Sequence, residues 1–264
     1  MNWGLENRVA MVTGGSRGIG YAIARLLSAE GAKVVITARD TDVLRTAAAR
    51  LEAETGQKVL PLPADTTNQD QIDQVVRGTT TTHGRLDILV NCAANPSGLV
   101  RNEVQWLDDA ALLRDLNTKV VGYARCARAV VPVMTQQRWG RIINIGGLTG
   151  RASNVLSGLR NVAVCHLTKT LSDQLGPVGI TVNAIHPGVV QTEHTTELFR
   201  GEAIRRGVTA GEVEAEYANA TPIRRTIAAA EVASAVAFLA SDLAAAITGE
   251  SLAVDGGITR GIYL

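Results

Sequence analysis

The stretch from Val12 to Gly20, VTGGSRGIG, sets Gly14, Gly18 and Gly20 between a short apolar run and the start of a helical pattern. Glycines at that spacing allow a tight turn, let the backbone approach a pyrophosphate and let the helix pack closely on a strand, while the positive helix end holds the phosphate charge. Dinucleotide binding is therefore the first chemistry to expect, with Gly14, Ser16, Arg17, Gly18, Ile19 and Gly20 forming the cradle. At the end of the next apolar run, VVITARD, a carboxylate would accept hydrogen bonds from an adenosine ribose 2′-hydroxyl. The sequence has Ala38 and then Arg39 there. The forked donors of Arg17 and Arg39 suit a 2′-phosphate, so NADP(H) is favoured over NAD(H). Asp40 is the one carboxylate close enough to turn inward and oppose that preference.

The elements that must position this loop follow from alternation. RVAMVT, KVVITA, KVLPLPAD, LDILVN, GRIINIG, ITVNAI and ESLAVD are short runs rich in Val and Ile. Helical periodicity runs between them, through residues 19 to 31, 41 to 55, 68 to 83, about 107 to 136, about 156 to 175 and 229 to 241. That pattern predicts an α/β fold: a Rossmann-type, doubly wound parallel sheet of about seven strands with helices on both faces. No repeat or linker divides the chain, so residues 1–264 are expected to form one domain. Residues 193 to 220 break the rhythm after a Pro-Gly pair, and their place beyond a late strand predicts a lid over the substrate.

Composition excludes several other classes. Formal net charge is +1, from 26 basic and 25 acidic residues interspersed along the chain, which gives no footprint for nucleic acid. No run approaches the roughly 18 apolar residues of a membrane span. Cys92, Cys126 and Cys165 are odd in number and lack a CxxC pair, so neither a disulfide framework nor a metal site is expected. The start of the chain has no secretory pattern, and a cytoplasmic protein acting on a small molecule is the expectation.

Several motifs in order resemble the classical short-chain dehydrogenase/reductase (SDR) family over nearly the whole chain. TGGSRGIG is similar to its TGxxxGxG loop, Ala64-Asp65 to its adenine-contacting turn and LDILVNCAA to its NNAG strand end. GITVNAIHPGVVQT resembles its sixth strand and PG motif, and AFLASDLAAAITGESLAVDGG its closing helix and strand. The resemblance implies a seven-stranded Rossmann sheet assembled into homotetramers or homodimers. It also implies that Asp65 binds the adenine amino group and that Asn91 lies beside the adenosine ribose. Pro187, Gly188, Val189 and Thr192 would then meet the nicotinamide carboxamide and phosphates.

In that family a tyrosine donates the proton while hydride moves, a lysine one helical turn later lowers its pKa, a serine orients the substrate oxygen and an asparagine supports a relay water. Counting back from HLTKTLSDQLGPVGITVN places Ser157 at the tyrosine position, Asn161 at the lysine position and Gly147 at the serine position. Asn117 alone matches. No tyrosine occurs between Tyr123 and Tyr217, and no lysine between Lys119 and Lys169. A serine hydroxyl is shorter than a phenol and its pKa lies far above the phenol value of about 10, so Ser157 is a poor acid. Asn161 still offers hydrogen bonds to a ribose hydroxyl. His186, before Pro187-Gly188, is the remaining acid/base candidate near neutral pH. Ser153, Ser157 and Asn161 recur every fourth residue as a polar stripe, and Arg151 and Arg160 are candidates for an anionic group.

Three functions fit. The first is an NADP(H)-dependent oxidoreductase of a small carbonyl, hydroxyl or enoyl-type substrate with a non-standard donor; dienoyl-CoA reductases resemble it in placing Ser at the Tyr position, though they keep the Lys. The second is a lyase, hydrolase or decarboxylase reusing the pocket. The third is a catalytically silent subunit that pairs through the long helices. The intact loop, the two arginines and the lid favour the first.

Overall fold

Val9–Thr13 is apolar at every position but the last and buried at all five, as a strand covered on both faces must be. This strand, β1, is followed by α1 (Gly18–Ala29), β2 (Lys33–Thr37), α2 (Thr41–Thr55), β3 (Val59–Pro61), α3 (Gln69–His83) and β4 (Ile88–Asn91). The chain continues through α4 (Asp109–Leu116), a π-helical turn (Asn117–Val121), α5 (Gly122–Gln137), β5 (Gly140–Ile145) and α6 (Gly158–Leu175). It then forms β6 (Ile180–Pro187), β7 (Val190–Gln191), α7 (Glu193–Arg206), α8 (Ala210–Ala220), β8 (Ile227–Ala228), α9 (Ala229–Ala240) and β9 (Ser251–Val254). This computed structural model describes residues 3–95, 104–150, 156 and 158–261.

All seven expected strands pair in one parallel sheet of order β3-β2-β1-β4-β5-β6-β9. Period-2 alternation divides its side chains between two cores. Ala10 and Val12 of β1 face α1, α2 and α9, where Ile23, Leu27, Leu44, Leu51, Val232 and Val236 pack. Val9 and Met11 face the other side, against Ile72, Val75, Val130, Met134 and Leu175. Helix ends follow their capping chemistry. Asp40 caps α2 by accepting from the Asp42 and Val43 N–H groups, and Asn68 caps α3 by accepting from Gln71 N–H.

The helix expected over residues 107 to 136 is interrupted. Its last turn before α5 widens into the π turn at Asn117–Val121, a form frequently found where a helix serves a site. The chain leaves the sheet after β6 to form α7 and α8, whose Phe199, Ala203 and Val213 make a small core of their own. Phe199 and Tyr217 stack at 5.1 Å between centroids. The two ends of this excursion meet, because β7 and β8 pair parallel with Val190 opposite Ile227. Among the described residues no helix is long and apolar enough to cross a membrane.

Candidate functional site

The strand order reverses between β1 and β4, and the crevice beyond their carboxyl ends is where an open parallel sheet takes a ligand. Thr13 closes its floor: its Oγ1 accepts from the N–H groups of Cys92 (3.0 Å) and Ala93 (3.1 Å), tying the loop after β4 to the one after β1. The three glycines of the loop have the backbone their spacing predicts. Gly14 has φ +68° and Gly18 φ +55°, both in the left-handed region. A Cβ on Gly20 would stand 2.2 Å from the Gly14 carbonyl oxygen, so the close approach of helix to loop requires glycine. Thr192 lies across from Gly18, its methyl group 3.4 Å from where a Cβ there would stand, and a cavity of about 400 Å3 opens between Gly18, Tyr21, Gln191 and Thr192.

Arg17, in the glycine loop, and Arg39, just after β2, are both exposed. Asp40, which follows Arg39, is turned to the start of α2, where its Oδ1 accepts from Asp42 N–H (3.1 Å) and Val43 N–H (3.0 Å). Asp65 uses Oδ1 for Thr67 N–H and Oγ1, both at 2.8 Å, which leaves Oδ2 for a ligand. Asn91 is a correction. Its side chain is fully buried and donates from Nδ2 to Asn144 Oδ1 (2.9 Å), while Asn144 donates to Thr168 Oγ1 (2.9 Å), so this end joins β4, β5 and α6, and Oδ1 has no hydrogen-bond partner among the described residues. Pro187 ends β6, and Gly188 lies so close to Asp255 that a Cβ would come within 2.8 Å of its backbone. Val189 packs against the small core of α7 and α8.

The proton-transfer side differs from expectation at three residues. Asn117 turns away from the crevice, its Oδ1 accepting from Arg125 Nη2 at 2.9 Å. Lys119, two residues on in the π turn, points inward instead: it is 4% exposed, and its Nζ donates to Gly146 O (2.7 Å) and to Asn161 Oδ1 (2.9 Å). Asn161 also donates from Nδ2 to Thr149 Oγ1 at 2.6 Å, so both ends of its amide are taken and neither faces a ribose. His186 is 1% exposed, with Nδ1 3.0 Å from Gly147 O and Nε2 3.3 Å from Cys165 Sγ. It supports the Gly146–Gly150 loop from beneath and does not present a nitrogen to the crevice. Ser157, Ser153 and Arg151 lie outside the described residues. Arg160 pairs with the buried carboxylate of Asp115, joining α6 to α4, and is not open to a substrate anion.

Burial sets the electrostatics here. It pulls the Lys119 ammonium down to about 7, and Arg160 pulls the same way. Burial pushes the Cys92 thiol up to about 12. Tyr123 is pushed well above the usual phenol value by burial, and its OH is committed to Ile145 O at 3.0 Å, so it does not replace the missing acid. Lys119 and Thr149 are the residues the sequence reading missed. Lys119 had a signal: Asp115, Lys119, Tyr123 and Ala127 recur every fourth residue on one helical face, and an unpaired cation on a buried stripe must be held by something. Thr149 had none, because a turn is not periodic.

A cavity of about 340 Å3 lies between α7 and α8, lined by Gln191, Thr195, Phe199, Arg200 and Glu214. Residues 14–259 match the family described as Enoyl-(Acyl carrier protein) reductase. The chain is 34% identical over 261 residues to a 3-oxoacyl-[acyl-carrier-protein] reductase of Synechocystis sp., covering 96% of this chain and 98% of the relative. It is 36% identical over 268 residues to the 3-oxoacyl-[acyl-carrier-protein] reductase FabG of Vibrio cholerae, with the same coverage. Among solved structures, L-sorbose reductase from Gluconobacter frateurii, complexed with NADPH and L-sorbose, superposes with a TM-score of 0.93 at 28% identity, covering 99% of this chain and 100% of that one.

Proposed function

The chain belongs to the short-chain dehydrogenase/reductase family, and from that premise we propose that it is an NADP(H)-dependent oxidoreductase reducing a small carbonyl or enoyl-type substrate without the family's tyrosine. The observation that carries this reading is the adenosine end of the crevice. Two exposed arginines stand there, and Asp40, next to Arg39 in the chain, is held by its Oδ1 at the N-terminus of α2. A 2′-phosphate gains two charged forks.

The residues fit the cofactor. The α1 N-terminus and the loop of Gly14, Ser16, Arg17, Gly18, Ile19 and Gly20 would hold the pyrophosphate, Arg17 and Arg39 the 2′-phosphate, and Asp65 Oδ2 the adenine amino group. Backbone groups from Pro187 to Val189, with Thr192, would hold the nicotinamide end. When bound, the dinucleotide supplies a hydride. The relatives' names and the L-sorbose reductase complex support a carbonyl substrate. The α7–α8 pair, spanning residues 193 to 220, serves as the lid that shuts water out as substrate enters.

A second copy of the chain is the partner. Leu113, Val121, Leu159 and Val162 are exposed on α4, the π turn and α6, and α6 carries apolar side chains on its buried and its open face alike. Three free cysteines suit a reducing, cytoplasmic setting. Titration of the purified protein with NADPH and NADH, followed by protein fluorescence, tests the reading. NADPH should bind at least about 10-fold more tightly, the equivalent of one charged hydrogen bond. Equal or absent binding of both would return the chain to the non-redox or silent alternatives.

A further inference from the structure

Three polar side chains from three elements meet beside the crevice: Lys119 on the π turn, Asn161 on α6 and Thr149 in the turn after β5. Their hydrogen bonds have only one consistent direction. An ammonium carries donors alone, so the Asn161 atom facing Lys119 Nζ at 2.9 Å is the carbonyl Oδ1. The amide is thereby fixed, and Nδ2 faces Thr149 Oγ1 at 2.6 Å as a donor. A hydroxyl that accepts from an amide keeps its own proton to give. Thr149 is half-buried, and its hydroxyl has no other partner among the described residues. Gly147 belongs to the same arrangement, because a Cβ there would stand 2.8 Å from Asn161 Nδ2 and push the amide off Thr149.

We propose that Lys119, Asn161 and Thr149 form a one-way donor chain that stabilises the substrate oxyanion, with Thr149 as the catalytic residue touching the carbonyl oxygen and Lys119 and Asn161 as positioning residues. This rests on the oxidoreductase reading above. A bound reduced nicotinamide would supply the hydride to the carbonyl carbon, and the electron pair of the broken π bond would then move onto oxygen. The Thr149 hydroxyl donates a hydrogen bond to that oxygen and keeps its own proton, since an aliphatic hydroxyl is a poor acid, and solvent water protonates the alkoxide. The balance is one hydride from the dinucleotide, one proton from solvent and one alcohol formed. The buried charge of Lys119 polarises the amide and, through it, the hydroxyl, at the point where negative charge develops.

The groups facing Lys119 are Arg160 and Cys165 from α6, Asp115 from α4 and Cys92 from the loop after β4, with His186 of β6 behind the same loop. With Lys119 held down to about 7, the head of the chain is charged below neutral pH and loses its charge above it.

The test uses the full-length protein with NADPH and acetoacetyl-coenzyme A as probes. Thr149→Val should lower kcat about 100-fold, the loss expected for one oxyanion donor, with the Kd for NADPH unchanged, and Thr149→Ser should restore most of the rate. Lys119→Met should lower kcat about 10-fold and abolish the fall in kcat expected of the wild type as pH rises through about 7. Without any cofactor, NMR of 13C-labelled lysine should show one side chain titrating near neutrality that is lost in Lys119→Met. Thr149→Val turning over near the wild-type rate would overturn the donor chain and leave the reductase reading standing. A wild type that binds NADPH but reduces neither acetoacetyl-coenzyme A nor crotonyl-coenzyme A would overturn both. A pH profile unchanged by Lys119→Met, with no lysine titrating near neutrality, would remove Lys119 from the chain.

Discussion

The two ends of the crevice are built from different materials. The dinucleotide end, from β1 to β2, is encoded in backbone: Gly14, Gly18 and Gly20 are fixed by φ angles and by distances too short for any side chain. The other end is built from side chains that meet from the π turn, the turn after β5 and α6. A backbone cradle has one solution, so its motif survives intact. A cation on a long flexible stem reaches the same spot from another helix, so its position in the sequence is free to move. Lys119 supplies a charge beside Asn161 although the position itself holds no lysine.

Substitution at each end separates these cases. The largest effect is expected at the backbone end: Gly20→Ala forces a Cβ toward the Gly14 carbonyl, and displacing main chain costs about 3 kcal/mol, read as roughly 100-fold weaker NADPH binding. Restoring the family lysine by Asn161→Lys should not repair the other end. It would bury a second ammonium against Lys119, at a cost of about 3 kcal/mol in urea denaturation, and Lys119→Asn in the same chain should recover most of it. Independent losses in the two variants would show that these positions do not share one charge.

A smaller effect follows from titration. The folded pKa of Lys119 is lowered to about 7, whereas an unfolded lysine titrates near 10.4, so above neutrality the unfolded chain binds a proton that the folded chain does not. Stability should therefore rise with pH from about 7 to about 8.5, by up to about 1 kcal/mol per unit, and the slope should vanish in Lys119→Met. Above that window the buried thiols of Cys92 and Cys126, both pushed to about 12, act in the opposite sense, because the folded chain then holds protons that the unfolded chain releases. Smallest is Asp40→Ala, which removes the α2 cap for about 1 kcal/mol of stability and leaves the NADPH-to-NADH preference unchanged. A large shift in that preference would show that Asp40 acts on the cofactor after all.

What the sequence made legible divides along the same line. Alternating apolar runs located all seven strands of the sheet, because a buried parallel strand needs apolar residues on both faces. The glycine loop was legible because its constraint is local. Asn91 misled, since a strand-end asparagine reads alike whether it faces a ligand or, as here, Asn144. Asn117 misled because the π turn shifts the inward face, and two positions along a helix change which side chain enters the crevice. His186 was placed at the right strand end, but whether a ring points up or down depends on Gly146 and Gly150, which leave room for it below the loop. The pairing of β7 with β8 had no signal at all, since two residues carry no period.

That pairing has a consequence for how this protein can change. The chain enters the α7–α8 excursion and leaves it at adjacent points, and Phe199, Ala203 and Val213 satisfy one another without the main sheet. Residues 193 to 225 thus form a cassette on a fixed socket, with Thr192, which faces Gly18, left outside it. New substrate tastes can be acquired there by insertion or replacement, with neither the dinucleotide cradle nor the sheet's register disturbed.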